Sequence, residues 1–197
     1  MKEFWNQRFS ADFYVYGVEP NQFFKHQLDL LKPGKILLPA EGEGRNAVYA
    51  ASKGWEVVAC DWSEEGKKKA ERLAALGNVT IDYRVADFGE LNIATEHFDC
   101  IGLVFAHFPV EKRALFHQKV IKALKLGGTI ILEGFSKKQL GNTSGGPKKP
   151  DLLFSEDDLR SDFQGLDTIE VTEQEILLEE GTFHEGIAST IRLIGKK

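Results

Sequence analysis

The chain has 197 residues, which is enough for one domain with a single sizeable hydrophobic core. Its formal net charge of −5 argues against a nucleic-acid partner, because such proteins usually present a basic face. No apolar run approaches the roughly 20 residues that a membrane span requires. The two cysteines, Cys60 and Cys100, are expected to be buried free thiols in a reducing compartment. We therefore expect one cytoplasmic domain over residues 1–197, a monomer or homodimer with no nucleic-acid or membrane partner.

The N-terminal segment, residues 1–20, is rich in aromatic residues but has no clean period. Its rings are expected either to fill the edge of the core or to form a lid over a bound ligand. Residues 21–31 place apolar side chains on one face, which predicts a helix, and Pro33-Gly34 ends it.

Strand-like and helix-like segments then alternate along the chain. The predicted strands are 35–39, 56–60, 79–85, 98–105 and 129–133, and the predicted helices are 45–53, 64–76 and 109–124. A loop rich in glycine and proline follows over residues 136–151, Ser155 begins a short helix, and 167–178 with 183–194 read as an antiparallel hairpin. This alternation predicts an α/β fold in which helices cover both faces of a mainly parallel sheet.

Ligands of open parallel sheets bind at the carboxyl ends of the strands. A carboxylate follows each of the first three predicted strands: Glu41, Asp61 and Asp87. Asp61 lies 19 residues after Gly42, a spacing at which an acidic side chain meets ribose hydroxyls. Trp62 is predicted to stack on a base. Asp87-Phe88 is predicted to bind the same base, through an exocyclic amine and through ring contact.

The first predicted strand ends in the bend Glu41-Gly42-Glu43-Gly44, and Arg45 and Asn46 open the next helix. The glycine spacing alone is typical of dinucleotide sites, where a pyrophosphate meets the helix N-terminus. Here the phosphates would meet two carboxylates, each costing about 3 kcal/mol at about 5 Å and an effective dielectric constant near 20. S-adenosylmethionine carries a sulfonium and an ammonium group, so the same charges favour it as the cofactor.

These residues resemble class I S-adenosylmethionine-dependent methyltransferases, whose first motif is an acidic residue followed by Gly-x-Gly. The stretch Glu41–Tyr49, the segment Tyr14-Val-Tyr-Gly17 with Pro20-Asn21, and the loop Gly145-Gly146-Pro147 are similar to the tellurite-resistance branch, a neighbour of the thiopurine methyltransferases. Pro39-Ala40 departs from that pattern, since Leu-Gly is usual there.

The resemblance implies a Rossmann-like, doubly wound sheet of seven strands in the order 3-2-1-4-5-7-6, with strand 7 antiparallel. It implies that Glu41–Gly44 surround the methionine portion of the cofactor, that Asp61 binds the ribose, and that Asp87-Phe88 lie at the adenine. Residues 105–107 would line the passage to the acceptor. The implied activity is methyl transfer to a small molecule, such as a thiol or a chalcogen oxyanion like tellurite, with S-adenosylhomocysteine as the product.

Several further residues are candidates for the site. We expect Asn46, Phe105 and Tyr16 beside the cofactor, Tyr14, Arg45, His107 and Phe135 beside the acceptor, and His107 as a catalytic base if one is needed. An alternative for His107 is a ring that only lines the cleft. The alternatives for Arg45 are contact with a nearby acid and an exposed first-turn residue. His26, His97, His117 and His184 are expected at the surface, and no metal site is proposed.

Two other functions remain open at this stage. The first is a non-catalytic module that binds S-adenosylmethionine or S-adenosylhomocysteine, which no sequence feature excludes. The second is a dinucleotide-dependent oxidoreductase, which Glu41 and Glu43 oppose.

Overall fold

The chain folds as a sheet of seven strands with six α-helices, and this computed structural model describes residues 2–197. Met1, the first residue of the predicted N-terminal arm, lies outside the described residues. The elements, in chain order, are α1 (Lys2–Phe9), α2 (Gln22–Leu28), β1 (Lys35–Pro39), α3 (Arg45–Ser52), β2 (Glu56–Asp61), α4 (Glu64–Leu76), β3 (Asp82–Val85), β4 (Phe98–Val104), α5 (Val110–Ala123), β5 (Leu124–Phe135), α6 (Glu156–Asp162), β6 (Thr168–Glu179) and β7 (Glu185–Lys196).

The strands lie in the order β3-β2-β1-β4-β5-β7-β6. Strands β1 to β5 pair in parallel with their neighbours, whereas β7 is antiparallel to both β5 and β6. The expected strand order and the antiparallel seventh strand are therefore confirmed. Strand order reverses between β1 and β4, which places the switch point of the sheet at the glycine bend.

Helices cover both faces of the sheet, because side chains of the central strands alternate between two cores. Ile36 and Leu38 of β1 lie in the core that contains residues of α2, α3 and α4. Leu37, between them, lies in the core that contains residues of α5 and α6. The alternation follows from the two-residue period of a strand. Cys60 and Cys100 are buried and free, as expected.

Several boundaries differ from the predicted ones. The helix predicted over 21–31 is only Gln22–Leu28, and the Asn21 side chain accepts from the Phe24 N–H at its start. Strand β5 begins at Leu124 rather than at residue 129, because the chain runs straight from α5 into pairing with β4, with a register shift between Phe98 and Cys100. Strand β3 begins at Asp82 because only four of its residues pair with β2.

The N-terminal segment contains a helix that sequence periodicity does not reveal. In α1 the rings of Trp5 and Phe9, four residues apart, stack at 5.4 Å between centroids. Pairs at this spacing lie on one helical face. None of the helices within residues 2–197 has the length and apolar character needed to cross a membrane.

Candidate functional site

A cavity of about 590 Å³ opens at the carboxyl ends of the central parallel strands. Its size is that of an ordinary small-molecule site. The residues that border it after successive strands are Ala40–Glu43 after β1, Asp61 and Trp62 at β2, Ala86 and Phe88 after β3, Phe105 and His107 after β4, and Phe135 at the end of β5. The structure thus brings together most of the site residues predicted from the sequence.

The glycine bend after β1 is held against two neighbouring helices. Gly42 and Gly44 have φ of 61° and 89°, backbone conformations that favour glycine. A Cβ atom at Gly44 would lie 2.5 Å from the Cβ of Ala70 in α4, and one at Gly42 would lie 3.0 Å from the Phe9 ring of α1. Glycine at these positions therefore lets the bend form the floor of the cavity.

Glu41 borders the cavity, but its carboxyl group is turned to the start of α3. It accepts from the Ala47 N–H at 2.7 Å and from the Asn46 side-chain amide at 3.4 Å. Burial raises the pKa of Glu41 to about 7, although these hydrogen bonds and the charge of Arg45 oppose the shift. Asn46 in turn accepts from the Asn21 N–H, so it links the bend to α2. Glu41 and Asn46 therefore stabilise the bend through contacts with α3 and with the residue before α2.

Glu43 corrects part of the charge argument made from the sequence. Its carboxylate accepts from the Val15 and Tyr16 N–H groups and pairs with the Lys69 ammonium at 2.7 Å. Glu43 therefore fastens the N-terminal segment to α4, and Lys69 balances its charge. We expected the negative charge of Glu43 to repel phosphate from the bend. That reason was wrong, because a carboxylate paired with Lys69 contributes little net electrostatic potential.

Asp61, at the end of β2, lies where a ribose-binding acid is expected. Its two oxygens accept from the Gly42 and Ser63 N–H groups at 3.1 and 3.0 Å. Burial raises its pKa to about 6, and the backbone donors partly offset that rise. Because each carboxylate oxygen has more than one lone-pair direction, Asp61 keeps acceptor capacity toward the cavity.

The region beyond Asp61 is aromatic. Trp62 and Phe108 border the cavity, and Phe88, only 4% exposed, presents an edge to it while its ring lies 4.3 Å from that of Phe116. Asp87 borders an adjoining groove of about 880 Å³ rather than the cavity itself, and it accepts from the Gly89 N–H. The groove and the cavity share Trp62, so Asp87 lies at the outer edge of the predicted base site.

Two non-glycine residues at the switch point adopt left-handed backbone conformations. Ala40 follows β1 with φ of 56°, and Phe105 follows β4 with φ of 51°. Such a conformation costs an alanine or a phenylalanine about 1–2 kcal/mol. Ala40 occupies the place where the resembling family has glycine, so the departure seen in the sequence is a point of strain. Phe105 borders the cavity.

His107 borders the cavity, but its ring nitrogens are both engaged by the backbone. Nδ1 lies 2.7 Å from the Leu152 carbonyl oxygen, and Nε2 accepts from the Phe135 N–H at 3.2 Å. Burial lowers the pKa of His107 to about 4. A neutral imidazole whose acceptor nitrogen is occupied is a poor proton acceptor, so the expectation of His107 as catalytic base is not supported. Its alternative, a ring that lines the cleft, fits.

Arg45 and His184 lie together behind the acceptor side of the cavity. Arg45 is 7% exposed and donates to Glu180 at 2.7 Å and to the Tyr16 carbonyl. This buried ion pair confirms the alternative that Arg45 reaches a nearby acid and contradicts the alternative of an exposed residue. His184 was expected at the surface, yet it is 6% exposed, borders the cavity and places Nδ1 3.6 Å from Glu180.

His117 was also expected at the surface, and that expectation is wrong. It is fully buried, and its Nδ1 lies 2.9 Å from an oxygen of Asp162, which also pairs with Arg113. This cluster fastens α6 to α5, away from the cavity. His26 and His97 are exposed, as expected.

The N-terminal segment borders the cavity. Phe4, Trp5, Arg8 and Phe9 of α1 border it, together with Tyr16. Tyr16 was an expected site residue, and its ring lies 4.6 Å from that of His184. Tyr14 does not border the cavity, because its hydroxyl donates to the Lys69 carbonyl on α4. The expectation that Tyr14 contacts the acceptor was therefore wrong.

Two more segments border the cavity. The loop predicted over 136–151 contributes Thr143, Gly145, Gly146, Pro147 and Lys148, and the turn between β6 and β7 contributes Thr182, Phe183 and His184. A Cβ at Gly145 would lie 2.4 Å from the Phe183 carbonyl oxygen, so the two segments touch. The glycine content of the loop is a sequence feature that singled it out as a candidate. The turn has no such feature, because the residues that it contacts are distant in sequence.

Comparison with known proteins agrees with this architecture. Residues 36–128 match the family described as a methyltransferase domain, a segment that runs from β1 into β5. A search of curated proteins found no match to the sequence.

Solved structures give the same result for the fold. A protein studied for the conversion of a disulfide bond into a thioacetal group during echinomycin biosynthesis is 18% identical, with a TM-score of 0.75, and the alignment covers all of this chain and 92% of that one. TehB from Haemophilus influenzae is 16% identical with a TM-score of 0.74, over all of this chain and 66% of that one. A methyltransferase from Methanosarcina mazei is 18% identical with a TM-score of 0.66, over 90% and 98%.

Residues 36–128 thus match a methyltransferase domain, and the whole chain has the class I methyltransferase fold. The match and the fold imply S-adenosylmethionine as the methyl donor. At the cavity, Asp61 retains acceptor capacity, Glu43 is paired with Lys69, and the pKa of Glu41 is raised.

Proposed function

We propose that this protein transfers the methyl group of S-adenosylmethionine to a small acceptor, of which a thiol or a chalcogen oxyanion such as tellurite is the best fit. The observation that carries the proposal is the cavity of about 590 Å³, which joins the glycine bend and Asp61 to an aromatic chamber under α1. A volume of this size holds the donor and leaves room only for a small second molecule.

When bound, S-adenosylmethionine supplies an electrophilic methyl carbon on a positively charged sulfur. The acceptor's lone pair forms the new bond while the electron pair of the carbon–sulfur bond remains on sulfur. The protein's task is to align the two reactants and to keep water out. Residues of the bend and Asp61 would hold the donor, and the roof formed by Trp5, Phe9 and Tyr16 would exclude water.

The lack of a free base at His107 favours a soft acceptor. Because its Nε2 accepts from the Phe135 N–H, His107 has no lone pair for an acceptor proton. A thiolate or a chalcogen oxyanion needs no proton removed in the protein. His184 is the other imidazole that borders the cavity, and with Glu180 near its Nδ1 it would serve an acceptor that does carry a proton.

The test combines calorimetric binding of S-adenosylhomocysteine with turnover of S-adenosylmethionine against small thiols, tellurite and selenite. We expect binding, and Asp61→Ala should weaken it by about 1–3 kcal/mol, the scale of a lost charged hydrogen bond. Asp82→Ala is the matched control, because Asp82 lies at the opposite end of β3 in an exposed pair with Arg84. If the Asp61 and Asp82 variants bound S-adenosylhomocysteine with equal affinity, Asp61 would not belong to the binding site. Binding without turnover of any acceptor would favour the non-catalytic module.

A further inference from the structure

Arg8 of α1 stands at the mouth of the acceptor chamber in an aromatic setting. Its guanidinium carbon lies 3.9 Å from the centroid of the Phe183 ring and 5.0 Å from that of Phe4. One nitrogen, Nη1, donates to the Tyr16 hydroxyl at 3.3 Å. All four residues border the cavity. The contact with Phe183 is a cation–π interaction, and within residues 2–197 the guanidinium makes no hydrogen bond besides that to Tyr16, so its other N–H groups are available.

The carboxylates near Arg8 already have cationic partners. Glu43 pairs with Lys69 at 2.7 Å, and Glu180 pairs with Arg45 at 2.7 Å. Throughout residues 2–197, Arg8 itself makes no ion pair with a carboxylate. Arg45, which also borders the cavity, already has its charge balanced, because its guanidinium pairs with Glu180 and also donates to the Tyr16 carbonyl.

The chamber beside Arg8 is lined by flat rings. Phe105 lies 4.5 Å from the His184 ring and 4.7 Å from the Phe135 ring, measured between centroids. Phe183, on which Arg8 stacks, is the residue before His184. A flat apolar body fits against such walls, and a guanidinium at the rim prefers a carboxylate or another planar anion.

We propose that Arg8 determines acceptor specificity: its guanidinium binds the negatively charged group of a small acceptor whose flat, apolar body lies against Phe105, Phe135 and Phe183. This inference rests on the proposed methyl transfer and names the class of acceptor. Under this inference Arg8, rather than Arg45 as expected from the sequence, is the cation that contacts the acceptor. Since α1 carries both Arg8 and the roof residue Phe9, the same helix that covers the donor would also select the acceptor.

Turnover of a matched pair of acceptors tests the proposal. We use 4-mercaptobenzoate and its neutral methyl ester, with Arg8→Met to remove the charge, Arg8→Lys to keep it, and Arg160→Met as a control in an exposed pair with Glu156. Arg8→Met should raise KM for the carboxylate acceptor about 10- to 100-fold, the scale of a charge-assisted hydrogen bond, and Arg8→Lys should recover part of the loss. KM for the ester should stay within about twofold of the wild-type value. Equal effects on both acceptors would overturn the proposal.

Binding measurements separate this inference from two others. If Arg8→Met weakened S-adenosylhomocysteine but not 5′-methylthioadenosine, which lacks the amino-acid portion, Arg8 would hold the donor's carboxylate and the proposal would fall. If the wild type turned over neither acceptor, calorimetry of benzoate and benzamide on the complex with S-adenosylhomocysteine would decide. Binding of benzoate that Arg8→Met abolishes would support anion recognition without methyl transfer. Benzoate binding that does not depend on Arg8 would overturn the proposal.

Discussion

The cavity has two halves that are built differently. Following the proposed function, we call the strand ends at residues 40–44, 61–62, 86 and 88 the donor half, and α1 with Arg45 and residues 143–148 and 180–184 the acceptor half. In the donor half each side chain directly follows a strand of the parallel sheet. In the acceptor half three segments from the two ends and the middle of the chain meet only through their side chains and loops.

The two halves also differ in the surroundings of one buried glutamate in each. Within residues 2–197, Glu41 of the donor half forms no ion pair, and burial raises its pKa to about 7. For Glu180 in the acceptor half, burial acts in the same direction, but nearby His184 and Arg45 outweigh it and lower the pKa to about 2. Glu41 thus depends on hydrogen bonds, whereas Glu180, like Glu43 of the bend, is held in a buried ion pair.

The largest expected effect comes from adding one carbon atom to the donor half. Gly44→Ala places a Cβ 2.5 Å from the Ala70 side chain at a φ of 89°, so steric overlap and backbone strain act together. We expect the free energy of unfolding to fall by about 2–5 kcal/mol. Gly127→Ala is the control, since it has a φ of 77° but no atom within 4 Å of its added Cβ. If chemical denaturation gave the same loss of unfolding free energy for both variants, backbone strain alone would explain the effect at Gly44.

The two glutamates should respond to neutralisation with opposite signs. Between pH 4.5 and 7 the folded state keeps a proton on Glu41 that the unfolded chain has lost, so its contribution to stability falls as pH rises through that range. Glu41→Gln should therefore raise the free energy of unfolding at pH 8 by about 2 kcal/mol.

For Glu180 the folded pKa is depressed, so its contribution is present above the ordinary pKa of 4.5 and is lost as pH falls toward 2. Glu180→Gln should lower the free energy of unfolding at pH 7 by about 3 kcal/mol, because it leaves Arg45 buried without its partner. Urea titrations from pH 3 to 8 on both variants test the pair. Shifts of the same sign would remove the electrostatic distinction between the two halves.

The smallest expected effect concerns strain at the edge of the donor half. Ala40→Gly relieves the backbone strain of a φ of 56°. We expect the free energy of unfolding to rise by about 0.5–1 kcal/mol, because the relieved strain exceeds the conformational entropy that glycine adds to the unfolded chain. Donor affinity should stay the same, since the alteration only removes a methyl group at the rim. A lower melting temperature would mean that Ala40 makes contacts that outweigh its strain.

The donor half could be predicted because its signals are local. Ser63 caps α4 by accepting from the Gly66 N–H, and Glu41, Gly42 and Asp61 follow their strands as the alternation required. The charge of Glu43 was misjudged, because its partner Lys69 is 26 residues away. Tyr14 was assigned to the site for the same reason, since nothing in the sequence shows that its hydroxyl reaches the Lys69 carbonyl.

The sequence by itself determined the alternation of strands and helices, the glycine bend and the acids at the strand ends, because these depend on periodicity and on backbone conformation over a few residues. Only the tertiary structure decided the acceptor half. It buried His184 and Arg45 around Glu180, occupied both nitrogens of His107, and placed Arg8 on Phe183. Those contacts join residues as far apart in sequence as the two ends of the chain, and their energy depends on which distant side chains share one volume from which water is excluded.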